Sequence, residues 1–195
     1  MPLVKSNYKP SYIFKNGHFS TIYSAKLRPS ISLLQQRERI NLPEGDFLDV
    51  DWSFSETKTN KVVILLHGLE GNAQRNYIKG AGSQLLQNGW YIAAMNFRGC
   101  SGEENFSYQS YHSGKTDDLE SVINNVLEKD KYQEIVLVGF SLGANLLLKY
   151  LGERDDVPFQ IKKSVAISGH KTKSCGVDKI GRPLSLKFLC LQTLY

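Results

Sequence analysis

A serine framed by glycines, Gly139-Phe140-Ser141-Leu142-Gly143, stands between an apolar run, Glu134-Ile135-Val136-Leu137-Val138, and a helical one, Ala144-Asn145-Leu146-Leu147-Leu148-Lys149-Tyr150-Leu151. A G-x-S-x-G at a strand-to-helix turn is a nucleophile elbow. The turn is so tight that the serine's neighbours must be small, and the hydroxyl is lifted clear of the sheet. The chemistry that fits is attack by Ser141 on a carbonyl carbon. That chemistry needs a stabiliser for the oxyanion and a base for the serine proton. Bare matches to the pentapeptide arise by chance; its position between these two runs is what gives it weight.

The oxyanion stabiliser has a candidate in Leu66-His67-Gly68-Leu69-Glu70-Gly71, which follows Lys61-Val62-Val63-Ile64-Leu65-Leu66. That run is β-branched and apolar, short for a membrane span, and reads as a buried parallel strand. The loop after such a strand gives one backbone N–H to the oxyanion and the residue after the serine gives the other. Here the donors would be the amides of Leu69 and Leu142. Each such donor contributes roughly 3–4 kcal/mol to the transition state, judged by its removal from other hydrolases. His67 has two readings, as a brace of this loop or as the catalytic base. Elbow enzymes run in chain order Ser, Asp or Glu, then His, which speaks for the brace.

The elements that must position these groups are legible. Arg37–Leu42 and Phe47–Phe54, joined by Pro43-Glu44-Gly45-Asp46, predict an antiparallel hairpin whose second arm alternates as a half-exposed strand does. Residues 1–35 form an aromatic-rich lead-in without evident regular structure. Tyr77–Gln87 predicts a helix stopped by Asn88-Gly89, and Trp90–Asn96 a strand. Leu119, Val122, Ile123, Val126 and Leu127 share one helical face, with Thr116 and Asp117 as candidate caps. Ser164–Ser168 predicts one more buried strand. Repeated β-α-β units imply a mostly parallel sheet covered on both faces and entered through the hairpin.

Composition narrows the function classes. With 195 residues and a hydrophobic content of 41%, the chain can bury a real core. The net charge of +5 invites a nucleic-acid reading until it is located. Residues 161–195 hold seven of the 24 basic side chains and one of the 19 acidic ones, leaving 17 basic against 18 acidic before them. No basic helix with interleaved aromatics occurs, so no nucleic-acid partner is expected. The N-terminus lacks a signal-peptide apolar core, and no run approaches a membrane span. Cys100, Cys175 and Cys190 have neither metal nor disulfide spacing, which suits a reducing, cytoplasmic setting. No metal or cofactor is expected.

Five segments, in order, carry a resemblance: Asn16-Gly17-His18-Phe19-Ser20-Thr21-Ile22-Tyr23, Leu66–Gly71, Asn96-Phe97-Arg98-Gly99-Cys100-Ser101-Gly102, Tyr111-His112-Ser113-Gly114-Lys115-Thr116-Asp117-Asp118, and the elbow. Together the chain resembles the α/β-hydrolase fold, and within it the YheT-like hydrolases. The resemblance implies a serine carboxylesterase or lipase. Its substrates would be short- to medium-chain acyl esters or lipids, some relatives also transferring acyl groups to alcohols. It implies Ser141 as nucleophile and Leu69 and Leu142 as oxyanion donors, with His67, Gly68, Gly139 and Gly143 supporting them. Arg98 and Ser101 would order the loop after the fourth strand, His112 and Asp117 would brace or cap, and Asn72, Gln74, Arg75 and Asn76 would flank the entrance.

Such hydrolases place the triad acid after a seventh strand and the histidine after an eighth. In this sequence the family pattern stops after Ser168, so 1–168 reads as an incomplete hydrolase domain and 169–195 as an atypical basic tail. The sheet is expected to lack about its seventh and eighth strands. That would leave Val165-Ala166-Ile167 on an open edge suited to self-association. His170 alone among histidines follows Ser141 and has two readings, as a residue of the tail or as a replacement base at the carboxyl end of a strand; Asp155, Asp156 and Asp178 are poor candidates for the acid. The alternative function is therefore a catalytically silent chain that binds a ligand or partner.

Overall fold

The protein is described by a computed structural model over residues 9, 11–23, 27, 29–169 and 187–191. The apolar runs become strands: β1 (Gln36–Asn41), β2 (Phe47–Ser53), β3 (Lys61–Leu66), β4 (Tyr91–Asn96), β5 (Glu134–Phe140), β6 (Ile161–Ile167) and β7 (Lys187–Leu191). They form one sheet in the order β1-β2-β4-β3-β5-β6-β7, parallel from β4 to β7 and antiparallel at β1 and β2. Before the sheet, α1 (Gly17–Ile22) is capped by the Asn16 side chain, which accepts from the amides of His18 and Phe19. Between the strands lie α2 (Asn76–Gln87), α3 (Thr116–Glu128) and α4 (Leu142–Glu153). The chain forms two compact units, around residues 1–31 and 32–193. In the first, the rings of Phe14, Phe19 and Tyr23 pack on one another.

The period of two along each central strand divides the larger unit's core. Val62, Ile64 and Leu66 of β3 face one cluster with Ile135 and Leu137 of β5 and the apolar stripes of α3 and α4. Val63 and Leu65 face the other, with Val136, Val138 and Ile78 of α2. Both faces of the parallel strands are therefore covered, which is why those strands read as unbroken apolar runs.

Three expectations are corrected. Residues 1–35, expected to lack regular structure, hold α1, because the Asn16 side chain caps its first amides. β2 is buried along its whole length rather than half exposed. Its polar positions Asp49 and Asp51 lie directly across from Arg39 and Arg37 of β1 and pair with them bidentately, at 2.7–3.1 Å. Alternation marks which face is polar; whether that face is wet depends on what covers it. The sheet also does not end at β6. β7 pairs in parallel with it from Lys163↔Lys187 to Ile167↔Leu191, covering the edge expected to be open. A five-residue run with no alternation and no adjacent turn signal is too short to declare itself a strand, and here the unpaired groups of β6 supply the template.

Candidate active site

The register of the sheet brings the two chemically suggestive segments together. Leu66, the last residue of β3, lies across from Gly139 of β5, so the turns that follow both strands emerge side by side at the carboxyl end of the sheet. Ser141 occupies the turn between β5 and α4 at φ 51°, ψ −112°, a conformation a non-glycine residue rarely accepts. Its amide donates to the Ile167 carbonyl at 2.8 Å, its side chain is exposed, and its hydroxyl has no hydrogen bond among the described residues.

The glycines follow from this geometry. A methyl on Gly143 would fall 2.6 Å from the His67 carbonyl oxygen and 2.7 Å from that of Leu66, and a methyl on Gly139 would strike the Gly143 carbonyl. Neither obstacle can rotate away, because both are backbone. Gly68 would bring a methyl to 3.3 Å from Ser141 Cβ, so the turn after β3 lies directly against the serine.

That turn is bonded residue by residue. Gly71 N–H donates to the Gly68 carbonyl at 3.0 Å, closing a four-residue turn with Glu70 at φ 52°. Gly68 N–H donates to the Tyr77 hydroxyl at 3.0 Å and Glu70 N–H to the Tyr111 hydroxyl at 2.9 Å. The amides of Leu69 and Leu142 donate to nothing among the described residues.

His67 is fully buried and both ring nitrogens are engaged. Nδ1 meets the Gly68 carbonyl at 2.7 Å and Nε2 accepts from Phe97 N–H at 3.1 Å, a pair of contacts that fixes the neutral tautomer with its proton on Nδ1. Burial foremost pushes its pKa down to about 4, and the nearby Arg75 charge acts in the same direction. The ring also packs on Phe97, 4.3 Å between centroids. Nothing remains on it to receive a serine proton, so of its two readings the geometry is that of a brace.

A second cluster ties down the loops behind the site. Arg98 is buried and forks onto Asp118 at 2.7 and 2.9 Å, Asp46 at 2.8 Å and Glu44 at 2.6 Å. Hydrogen bonding to Asp118 foremost raises the guanidinium's pKa. Burial pushes the Asp46 carboxyl up, but donors from Asn105, Phe47 and Phe106, together with the Arg98 charge, hold it below its ordinary value. The other expected residues take structural places. Ser101 offers its carbonyl to Arg37, and His112 Nδ1 accepts from Gly114 N–H. Gln74 donates to Asp51 and Gln35, and Arg75 to the Glu70 carbonyl. Neither candidate cap acts as one. Lys115 is the N-cap, Thr116 turns its hydroxyl to Glu153, and Asp117 stays exposed, 3.7 Å from Arg154. His170 and Asp178 lie outside the described residues. Tyr77 and Tyr111 were not legible as site residues, since a tyrosine in a helix or loop carries no spacing signal for the backbone amide it will meet.

Residues 61–179 match the family described as alpha/beta hydrolase fold, more than half of the chain. The chain belongs to the alpha/beta hydrolase fold family. The YheT protein of Escherichia coli is 32% identical over 156 residues, 78% of this chain and 46% of that one. Phospholipase ABHD3 of Homo sapiens is 25% identical over 192 residues, 94% of this chain and 46% of that one. The chain thus spans about half the length of these relatives. Among solved structures, XC6422 of Xanthomonas campestris, an α/β serine hydrolase without a lid, superposes with a TM-score of 0.60 at 17% identity. That likeness covers 85% of this chain and 87% of that one, and it speaks for the fold. Within the family, the likeness in sequence is to the YheT-like branch. Among the described residues, no helix is long and apolar enough to cross a membrane, and no group of three or more His, Cys, Asp or Glu could hold a metal.

Proposed function

We propose that the chain is the nucleophile-bearing part of a serine carboxylester hydrolase acting on short- to medium-chain acyl esters or lipids. Ser141 Oγ attacks the carbonyl carbon, the carbonyl oxygen becomes an oxyanion held by the amides of Leu69 and Leu142, and the alcohol leaves with the serine proton. Water then attacks the acyl-enzyme and releases the acid. The observation that carries this reading is a strained, exposed Ser141 packed against a turn whose Leu69 amide, like that of Leu142, is unbonded among the described residues. The relative named as a phospholipase supports a lipid ester as substrate.

The base is assigned to none of the described histidines in this reading. His67 is neutral with both nitrogens engaged, and His112 accepts from its own loop. His170, which follows Ser141 in the sequence and lies outside the described residues, is the candidate within this sequence. The test is intact-mass analysis after exposure to a fluorophosphonate, with Ser141→Ala and His170→Ala alongside. Stoichiometric labelling lost in Ser141→Ala is expected, and loss in His170→Ala would identify the base. A chain that takes no label would turn the reading to its alternative, a silent fold that binds acyl ligands.

A further inference from the structure

We infer that the hydroxyls of Tyr77 and Tyr111 form a clamp on the turn after β3, leaving Leu69 N–H as its one unbonded amide and holding it ready for the oxyanion at Ser141. The inference rests on the serine reading above and assigns two positioning residues to it. Four consecutive amides are at stake. Gly68 N–H is taken by Tyr77, Glu70 N–H by Tyr111 and Gly71 N–H by the Gly68 carbonyl, while Leu69 N–H donates to nothing among the described residues. The turn itself bonds only the Gly71 amide, so Gly68 and Glu70 owe their partners to the two tyrosines, and the amide of exposed Leu69 left between them is the one the chemistry calls for.

The two tyrosines come from different parts of the chain and are themselves held. Tyr77, in the first turn of α2, packs its ring on Phe140 at 5.1 Å between centroids, so one side chain ties the turn to the residue before Ser141. Tyr111, in the loop before α3, stacks on Phe97 at 5.4 Å and 14°, and Phe97 packs in turn on His67. The clamp also accounts for local features of the sequence. A methyl at Gly71 would fall 2.8 Å from the Tyr77 hydroxyl, so a side chain there would push the hydroxyl away. Glu70 at φ 52° is a conformation that persists where its surroundings hold it, and the bond from its amide to Tyr111 is such a hold. Oxyanion donors act by being fixed before charge develops, so a donor on a turn free to rearrange would lose most of its effect.

The test uses Tyr77→Phe and Tyr111→Phe, which keep the ring packing, with Tyr91→Phe at the opposite end of β4 as control. Residue-resolved amide exchange is measured together with the concentration dependence of fluorophosphonate labelling. In the wild type, Leu69 should exchange freely while Gly68, Glu70 and Gly71 are protected. Tyr77→Phe should release Gly68 and Tyr111→Phe should release Glu70. Each should slow the maximal labelling rate by about tenfold or more, as misplacement of a reacting group does, with half-saturation unchanged. Released amides with an unchanged maximal rate would reduce the hydroxyls to structural bonds and overturn the inference. Protection of Leu69 equal to that of its neighbours would overturn the clamp and leave the serine reading standing. A wild type that takes no label overturns the serine reading, and with it the purpose of the clamp.

Discussion

The elbow at Ser141 and the ionic centre at Arg98 are both rigid, and they are rigid for opposite reasons. At the elbow the chain is held by what is missing: Gly139 and Gly143 carry no side chain, and backbone fills the space within 3 Å. At Arg98 it is held by what is present, one guanidinium shared among Glu44, Asp46 and Asp118 from segments up to 74 residues apart. The first restraint is steric and indifferent to pH, set inside the elbow where Gly139 faces Gly143 and from the end of β3 where the Leu66 and His67 carbonyls face Gly143. The second is electrostatic, distant in sequence and dependent on charge. One end of a sheet thus holds a strained backbone by close approach of main chain to main chain, and uses buried charge where loops from several segments meet.

The sharpest way to break the comparison is at its ionic half. Arg98→Met should cost about 3–5 kcal/mol by leaving Asp46 and Asp118 buried without their partner. Urea unfolding reads it, and a loss no larger than that of an exposed pair such as Arg39–Glu103 would mean the centre is wet. Gly143→Ala should follow at about 3 kcal/mol, since its methyl meets fixed carbonyl oxygens. A neutral outcome there would show that α4 can slide away from β3.

The pH windows separate the halves. His67 is depressed from 6.5 to about 4, foremost by burial, so the unfolded chain binds this proton more readily than the folded one. Its contribution is full above pH 6.5 and is lost as pH falls toward 4. Wild type should therefore lose about 3 kcal/mol relative to His67→Gln across that interval. Glu44, through its bond to Arg98, and Asp46 are held below their ordinary values, so their contribution disappears only as pH falls below about 4. A wild type and a His67→Gln variant that decline in parallel would remove the histidine from this account. The smallest effect concerns the strain itself. Ser141→Gly should raise stability by about 1 kcal/mol by relieving a φ of 51° while abolishing labelling. A variant no more stable than wild type in thermal melts would mean the turn carries no strain.

How legible each region was follows the same division. The elbow could be read because a serine that must turn sharply leaves its mark on five consecutive residues; that Gly143 also faces the Leu66 and His67 carbonyls at the end of another strand could not. The parallel strands could be read because burial on both faces leaves continuous apolar runs. The Arg98 centre could not, since nothing in the sequence near Asp118 announces a guanidinium arriving from 20 residues upstream. The same holds for Tyr111, which finds the Glu70 amide across 41 residues. β2 was half legible: alternation separated Asp49 and Asp51 from Val50 and Trp52, but the cover supplied by Arg37 and Arg39 depends on pairing register.

By itself, then, the sequence determined the order of β1 to β6 with α2, α3 and α4, the turn at Ser141 and the loop beside it, because these depend on short-range sterics and hydrophobic periodicity. The tertiary structure decided that both ring nitrogens of His67 are engaged, that the Gly68 and Glu70 amides meet two tyrosine hydroxyls, and that β7 closes the edge of β6. Those outcomes turn on which distant groups meet, and a hydrogen bond or a sheet edge is completed by geometry that no local pattern encodes.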